Sequence, residues 1–432
     1  MKTVAFCTLG CKVNQYETQA MCELFEKEGY KVCDFEQICD IYIINTCSVT
    51  GLSDRKSRQM IRRARRRNEN AVIAVTGCYA QTAAGEVLKI EGVNLVVGTQ
   101  KRGDIVKMCE QSAGQRVNFV CDILHTHEFE EDLKISEFEE RTRAYVKMQE
   151  GCSQFCSYCI IPYARGPIRS RKKENVIDEI ETLANKGFCE IVLVGIHIAS
   201  YGKDLKDASL YDVIQAVNKI EKIKRIRLSS IEPMTLNNDF IFHVSGADKL
   251  CNHFHISLQS GCDKTLKRMN RKYSSDDFYS IAELLRKNFE NCAITTDIMV
   301  GFPGETEDEF NESLEFVKKV GFADAHIFPY SKRPGTPAAK MKDQVSDEEK
   351  SRRSKLMFEA TKKSRKEFLD MHTGKVMEVL FERECEKGVY EGKTTNYIHV
   401  EAKSDENICG KILKVKIKEN DGYICMAEIL KD

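Results

Sequence analysis

The first hundred residues alternate short apolar runs with stretches of helical period. Residues 4–10, 41–46, 71–77 and 94–98 are apolar and strand-like, and the first three end next to Cys11, Cys47 and Cys78. Between the first two, Tyr16, Ala20, Met21, Leu24 and Phe25 recur at i, i+4, i+5, i+8 and i+9, the apolar face of a helix that Gly29 stops. Asn14 with Glu17 predicts a capping box at its start. A second helix is predicted over 53–68. Strands alternating with helices imply a parallel sheet.

From residue 143 the same alternation resumes. Candidate strands are 144–149, 190–195, 225–230, 253–259, 293–300 and 323–328; candidate helices are 175–186, 210–220, 275–287 and 306–320, the last opened by a Thr306/Glu309 capping box. Six β/α units make an incomplete barrel, short of the eight of a closed one. A long helical stretch, 346–372, leads away from it. The tail then changes to period two over 376–385, 397–402, 411–418 and 424–430, with glycines between, which predicts a small antiparallel barrel. The fold class is α/β: an N-terminal open parallel sheet over 1–125, a linker over 126–142, a central partial (β/α)6 barrel over 143–371 and a C-terminal β-barrel over 372–432. Crowded acids, Glu128 to Glu140, mark the linker.

A chain of 432 residues exceeds one ordinary core. No run approaches the ~18 apolar residues of a membrane span, and residues 1–6 run into a strand without a signal-peptide pattern. Nineteen cysteines in such a chain point to metal or redox work in a reducing compartment. Net charge is zero, so only local clusters bear on nucleic acid. Arg55, Lys56, Arg58, Arg62, Arg63, Arg65, Arg66 and Arg67 share one helix with no acid among them, which suits a phosphate backbone. A solvated face is the plainer alternative. The tail holds ten Lys/Arg against twelve Asp/Glu, so charge alone does not make it an RNA binder.

Cys152, Cys156 and Cys159 form a C-x3-C-x2-C array on the loop leaving a predicted strand. Zinc ribbons commonly offer two C-x2-C pairs, and no fourth cysteine lies near. Three thiolates suit an iron–sulfur cube with one open corner. Cys11, Cys47 and Cys78 each follow a strand of one parallel sheet, so they should converge at its carboxyl edge. The barrel mouth should likewise collect Cys152, Cys156, Cys159, Gly195, Glu232, Gln259, Asp297 and Gly301, with Ser229 another polar residue at a strand end. Arg165, Arg169 and Arg171 flank it, placed to meet RNA phosphates or a substrate carboxylate.

The C-x3-C-x2-C array resembles that of the radical S-adenosylmethionine superfamily. Gly10-Cys11-Lys12-Val13-Asn14, Asn45-Thr46-Cys47-Ser48-Val49-Thr50 and Thr76-Gly77-Cys78 resemble the cysteine motifs of methylthiotransferases, and the tail resembles their TRAM-like RNA-binding module. Thr8 to Thr18, Ile161 to Gly166, Phe328 to Arg333 and Val300 to Thr306 are similar to the branch acting on N6-threonylcarbamoyladenosine in tRNA. Ser257 departs from it, since relatives usually carry proline there.

The resemblance implies two [4Fe–4S] clusters, one on each cysteine triad, and S-adenosylmethionine as both radical source and methyl donor. It suggests the Gly195 strand end for the methionine amino group; Ser229, Glu232, Gln259 and Asp297, polar at strand ends, and Gly301 in a tight turn are the further candidate cofactor contacts, and Arg62, Arg63, Arg65, Arg66, Arg165, Arg169 and Arg171 the candidate RNA contacts by their charge. The expected partners are a tRNA anticodon stem-loop and a reductant such as flavodoxin or ferredoxin. The chain is expected to act as a monomer in the cytoplasm, free of membrane. The alternatives are the same chemistry on isopentenyladenosine or a ribosomal protein, or a non-catalytic iron–sulfur RNA-binding protein. Both triads can serve one adenine only if the N-terminal sheet edge faces the barrel mouth.

Overall fold

The computed structural model describes residues 1–112, 114–136 and 142–430. Residues 137–141, part of the expected linker, lie outside the described residues. The N-terminal sheet is built from β1 (Thr3–Thr8), β2 (Lys31–Cys33), β3 (Ile41–Thr46), β4 (Val72–Gly77), β5 (Val93–Val96) and β6 (Val117–Asn118), in the order β2-β1-β3-β4-β5-β6 with every pairing parallel. Helices α1 (Lys12–Lys27), α2 (Gly51–Arg67), α3 (Cys78–Thr82), α4 (Ala84–Lys89) and α5 (Ile105–Gln111) connect them. One face packs Tyr42, Ile44, Ile61 and Val75 into a core of its own, while Val4, Tyr16, Met21 and Phe25 on the other join the core of the next unit.

That unit is an open arc of parallel strands, β7 (Arg143–Glu150), β9 (Glu190–Gly195), β10 (Arg225–Leu228), β11 (His253–His255), β12 (Ala293–Val300) and β13 (Asp324–Pro329), with short β8 (Arg169–Ser170) antiparallel to β7 at the edge. Single bridges such as Ile231–Ile256 carry the arc across from β10 to β11. Helices α6 (Ile161–Arg165), α7 (Lys173–Asn185), α8 (Leu210–Asn218), α9 (Asn238–Val244), α10 (Asp263–Arg268), α11 (Ser275–Asn288), α12 (Glu307–Val320) and α13 (Asp347–Asp370) accompany it. The Thr306/Glu309 capping box forms as expected. The Asn14/Glu17 box does not. Helix α1 starts three residues earlier, with Cys11 at its N-cap. Asn14 instead donates to the Leu9 and Thr46 carbonyls at 2.7 and 3.0 Å, and Glu17 is buried among cations.

The tail closes into a barrel, β14 (Val376–Glu386), β15 (Val389–Thr394), β16 (His399–Lys403), β17 (Ile412–Asn420) and β18 (Cys425–Ile429), in the order β14-β15-β16-β18-β17. Its core of Val379, Phe381, Val400, Val415 and Ile417 is continuous with Phe368 and Leu369 of α13. It is not wholly antiparallel, because β16 and β18 pair in parallel. A ring of five strands cannot close with every neighbour reversed. No helix in the described residues is long and apolar enough to cross a membrane.

Candidate functional site

Strands β1, β3 and β4 are neighbours, and Cys11, Cys47 and Cys78 follow their carboxyl ends. A side chain on Gly10 would put its Cβ 3.2 Å from Cys47 Sγ; the φ of +116° that brings this turn so close is glycine's. Cys47 and Cys78 are buried, and Cys11 opens into a cavity of ≈1060 Å³. Burial pushes the Cys78 thiol up to about 12 and raises that of Cys11, while in both cases the Arg165 guanidinium pulls the other way.

Arg165 ends α6, directly after the C-x3-C-x2-C loop, yet it reaches the N-terminal triad. Its Nε donates to Cys78 Sγ at 3.1 Å. Nη2 donates to Asn14 Oδ1 at 2.7 Å and Nη1 to Glu17 Oε1 at 2.6 Å. Glu17 also meets Arg102 at 2.5 Å and Lys147 at 2.7 Å, and Glu150 of β7 joins the same cluster. Arg165, Arg169 and Arg171, expected at the rim for RNA, are instead fully buried, at 0% exposure each. Arg169 donates to the Thr126 and Pro167 carbonyls, and Arg171 pairs with Glu131 and Glu179. Enclosed in the interior, these guanidinium groups are not on a surface that an RNA backbone could reach. The arginines of α2 are divided: Arg62 and Arg66 are exposed, Arg63 is exposed but paired with Glu36, and Arg65 donates back to the Glu69 carbonyl.

Cys152, Cys156 and Cys159 lie on the loop leaving β7. Gly151, at φ +74°, makes that exit, since a Cβ there would stand 1.8 Å from the Pro167 carbonyl oxygen. Burial raises the Cys152 thiol to about 11 and that of Cys159 to about 12. Arg271, which no pattern in the sequence marked, donates to Cys156 Sγ at 3.3 Å, to the Ser257 carbonyl at 3.2 Å and to Tyr273 Oη at 2.9 Å. So the unusual Ser257 serves through its backbone oxygen. Among the described residues, the trio of ligand atoms mutually within 4.8 Å is Cys385, Glu391 and Glu401. Each cysteine triad offers three thiols with an arginine donor at one sulfur, a donor set that suits a cluster of several irons with one open corner.

Of the residues expected at the mouth, Gly195, Ser229 and Asp297 line the cavity that Cys11 opens into, and Cys152, Cys156, Cys159, Glu232, Gln259 and Gly301 do not. Glu232 lies towards the other triad. Burial raises its pKa against the opposing pull of Arg271, and its charge in turn acts on Cys152. Gln259, at φ +67°, spends its backbone on Asp297 and Met299. The Gly301 N–H donates to Glu305, and its open side is covered by Lys350. His197 is structural: its Nδ1 meets Ser200 Oγ at 2.7 Å, and burial, then Lys203 and Arg271, lowers its pKa to about 4.

The cavity is walled by all three units. Lys12 comes from the N-terminal sheet, His253, His255 and Asp297 from the arc, and Lys393 and Tyr397 from the C-terminal barrel. Tyr397 stacks on His253 at 4.6 Å and receives Arg227 at 4.8 Å and Lys393 at 4.7 Å over its ring. Arg225 and Arg227 hold the barrel there by donating to the carbonyls of Glu378, Lys393, Thr394 and Thr395. The sheet edge does face the barrel mouth.

Family models match the sequence in two parts. Residues 146–317 match the radical SAM superfamily. Residues 3–98 match the uncharacterized protein family UPF0004. The chain is 46% identical over 424 residues to the threonylcarbamoyladenosine tRNA methylthiotransferase MtaB of Bacillus subtilis, covering 96% of this chain and 94% of that one. It is 38% identical to the protein of the same name from Thermotoga maritima, over 100% and 98%. It is 35% identical to a tRNA-2-methylthio-N(6)-dimethylallyladenosine synthase of Thermoanaerobacter pseudethanolicus, over 98% and 92%. In fold it is similar to the radical S-adenosylmethionine methyltransferase TsrM of Kitasatospora setae, with a TM-score of 0.58 and 14% identity over 78% and 77% of the two chains.

Proposed function

This chain belongs to the methylthiotransferase family of radical S-adenosylmethionine enzymes, and from that premise we propose that it converts N6-threonylcarbamoyladenosine beside the anticodon of tRNA to its 2-methylthio derivative. The observation that carries the reading is the shared cavity, into which Cys11 opens opposite Gly195, Ser229 and Asp297 of the barrel mouth. Cys152, Cys156 and Cys159 would hold one [4Fe–4S] cluster and Cys11, Cys47 and Cys78 the other. When bound, the clusters and S-adenosylmethionine supply the radical that opens the adenine C2–H bond and the sulfur and methyl that replace its hydrogen.

The chain's own residues prepare both sites. Arg271 and Arg165 each aim an N–H at one ligand sulfur, stabilising thiolate charge in a buried setting. Glu17, Glu150 and Asn14 fix Arg165 in turn. Tyr397 and His253 present a stacked pair of rings at the cavity wall, and Arg62 and Arg66 leave a basic helix face open to an RNA backbone. We infer that a low-potential reductant such as flavodoxin or ferredoxin serves the clusters and that the chain acts on tRNA in the cytoplasm as a monomer.

The test is reconstitution of the full chain with iron, sulfide, S-adenosylmethionine, a reductant and a stem-loop RNA carrying the threonylcarbamoyl base. About eight irons per chain and the methylthio nucleoside are expected. Replacing Cys11, Cys47 and Cys78 together with alanine should leave about four irons and cleavage of S-adenosylmethionine without thiomethylation. Full iron in that variant would defeat the assignment of the second site.

A further inference from the structure

The cavity wall carries positive charge that the fold leaves unanswered. Arg365 is paired with Asp324 at 2.9 Å, and Asp297 faces His255 Nε2 at 3.3 Å. Behind Tyr397, Arg143 and Arg227 are matched by Glu382 and Glu190. Lys12 and Lys393 meet no carboxylate among the described residues. Lys393 rests over the Tyr397 ring, and Lys12 lines the same cavity from the N-terminal unit. Two further polar atoms on this wall, Ser229 Oγ and His253 Nδ1, are buried without a partner. Their residues are 8% and 6% exposed. Unpaired cations and orphaned polar atoms around one space are costly unless a ligand answers them.

We propose that Lys12 and Lys393 form a carboxylate subsite that takes the threonyl carboxylate of the substrate and so selects the threonylcarbamoyl base over one with an uncharged N6 substituent. The inference rests on the function proposed above. N6 is the exocyclic nitrogen on C6, and C6 and C2 flank N1 on the same edge of the six-membered ring, so a substituent held at Lys12 keeps C2 close to the neighbouring Cys11. The subsite is completed only when the C-terminal barrel docks, because Lys393 comes from β15 and Lys12 from α1.

Two other anions share this chemistry, the methionyl carboxylate of S-adenosylmethionine and an RNA phosphate, and the experiment separates them. Anticodon stem-loops carrying the threonylcarbamoyl base, its methyl ester or plain adenosine are titrated by anisotropy against the reconstituted full chain and its Lys12→Met, Lys12→Arg and Lys393→Met variants. The unaltered chain should prefer the free acid over both others by tenfold or more, the worth of a charge-assisted contact. Either methionine variant should collapse that preference to about twofold, and Lys12→Arg should restore most of it. Equal weakening for all three RNAs overturns the proposal in favour of a phosphate contact. Lost S-adenosylmethionine binding, measured without RNA, overturns it in favour of the cofactor's carboxylate. Retained preference in both methionine variants overturns it outright. A wild-type chain that thiomethylates dimethylallyl RNA and leaves the threonylcarbamoyl RNA untouched refutes the substrate reading itself, a result distinct from all of these. Because the two lysines sit in separate units, misfolding of one variant, seen as lost iron, leaves the other decisive.

Discussion

Arg271 shows how much a single side chain contributes to a site whose ligands are elsewhere. It makes three directed hydrogen bonds, and the one to Cys156 Sγ bears on the electronics of anything bound there. A donor and a positive charge at a ligand sulfur stabilise the reduced, more negative state. Arg271→Met should therefore lower the reduction potential of the Cys152/Cys156/Cys159 cluster and slow 5′-deoxyadenosine formation about tenfold or more with a fixed reductant. An EPR-monitored redox titration reads the first effect, and an unchanged potential would refute the argument. That the six cysteines follow strand ends was legible in the sequence because spacing and strand ends are local patterns. Arg271 was not, because its distance from Cys156 is a property of tertiary packing. Arg165, Arg169 and Arg171 were legible as a basic stretch but not as buried ones: their counter-charges, Glu17, Glu130, Glu131, Glu150 and Glu179, come from scattered positions.

At the scale of elements, α1 is the least ordinary helix. The Asn14/Glu17 pattern satisfies the local rule for a capping box, and tertiary demand overrides it. Glu17 is 0% exposed and faces Arg102, Lys147 and Arg165. Burial works to raise its pKa, but those three cations outweigh it and hold the carboxyl well below its usual range. Glu150 is likewise held down. Because the folded pKa is depressed, the stabilisation is complete above the unfolded value of about 4.3 and is lost as pH falls through the folded one. The urea midpoint should then be insensitive to this cluster between pH 7 and 5 and should drop below about pH 4. Glu17→Gln should cost about 3–5 kcal/mol at neutral pH, since it leaves three buried cations to share Glu150, with Glu130 answering Arg102 as well. A loss under about 1 kcal/mol in equilibrium unfolding would show that the cluster is not what joins α1 to β7. The six strands of the arc were legible from their apolar runs. Strand β15 was not, for its glycine and lysine broke the alternation that marked its neighbours.

For the whole molecule, the main dependence is of the C-terminal barrel on two arginines. Arg225 and Arg227 project from β10 into backbone carbonyls of the barrel, so docking is read through main-chain shape. Arg227 also answers Glu190 at 2.9 Å. Arg227→Ala should weaken docking by about 3 kcal/mol, seen as faster proteolysis between α13 and β14 and weaker stem-loop binding. Cleavage at the wild-type rate would argue that the apolar contact through Phe368 and Leu369 suffices alone. Three units were visible along the chain from changes of hydrophobic period. That they close on one cavity was not, because no periodicity encodes how a unit's surface meets another's.

Arg165 has a consequence for how such a chain is inherited or engineered. It is encoded beside one cysteine array and completes the surroundings of the other, with its partners Asn14 and Glu17 encoded some hundred and fifty positions upstream. A chimera that took its first hundred residues from one relative and its barrel from another would have to carry all of these together. Recombination at the apparent boundary is thus penalised, and the two halves are expected to have travelled as one heritable block despite looking like separable modules.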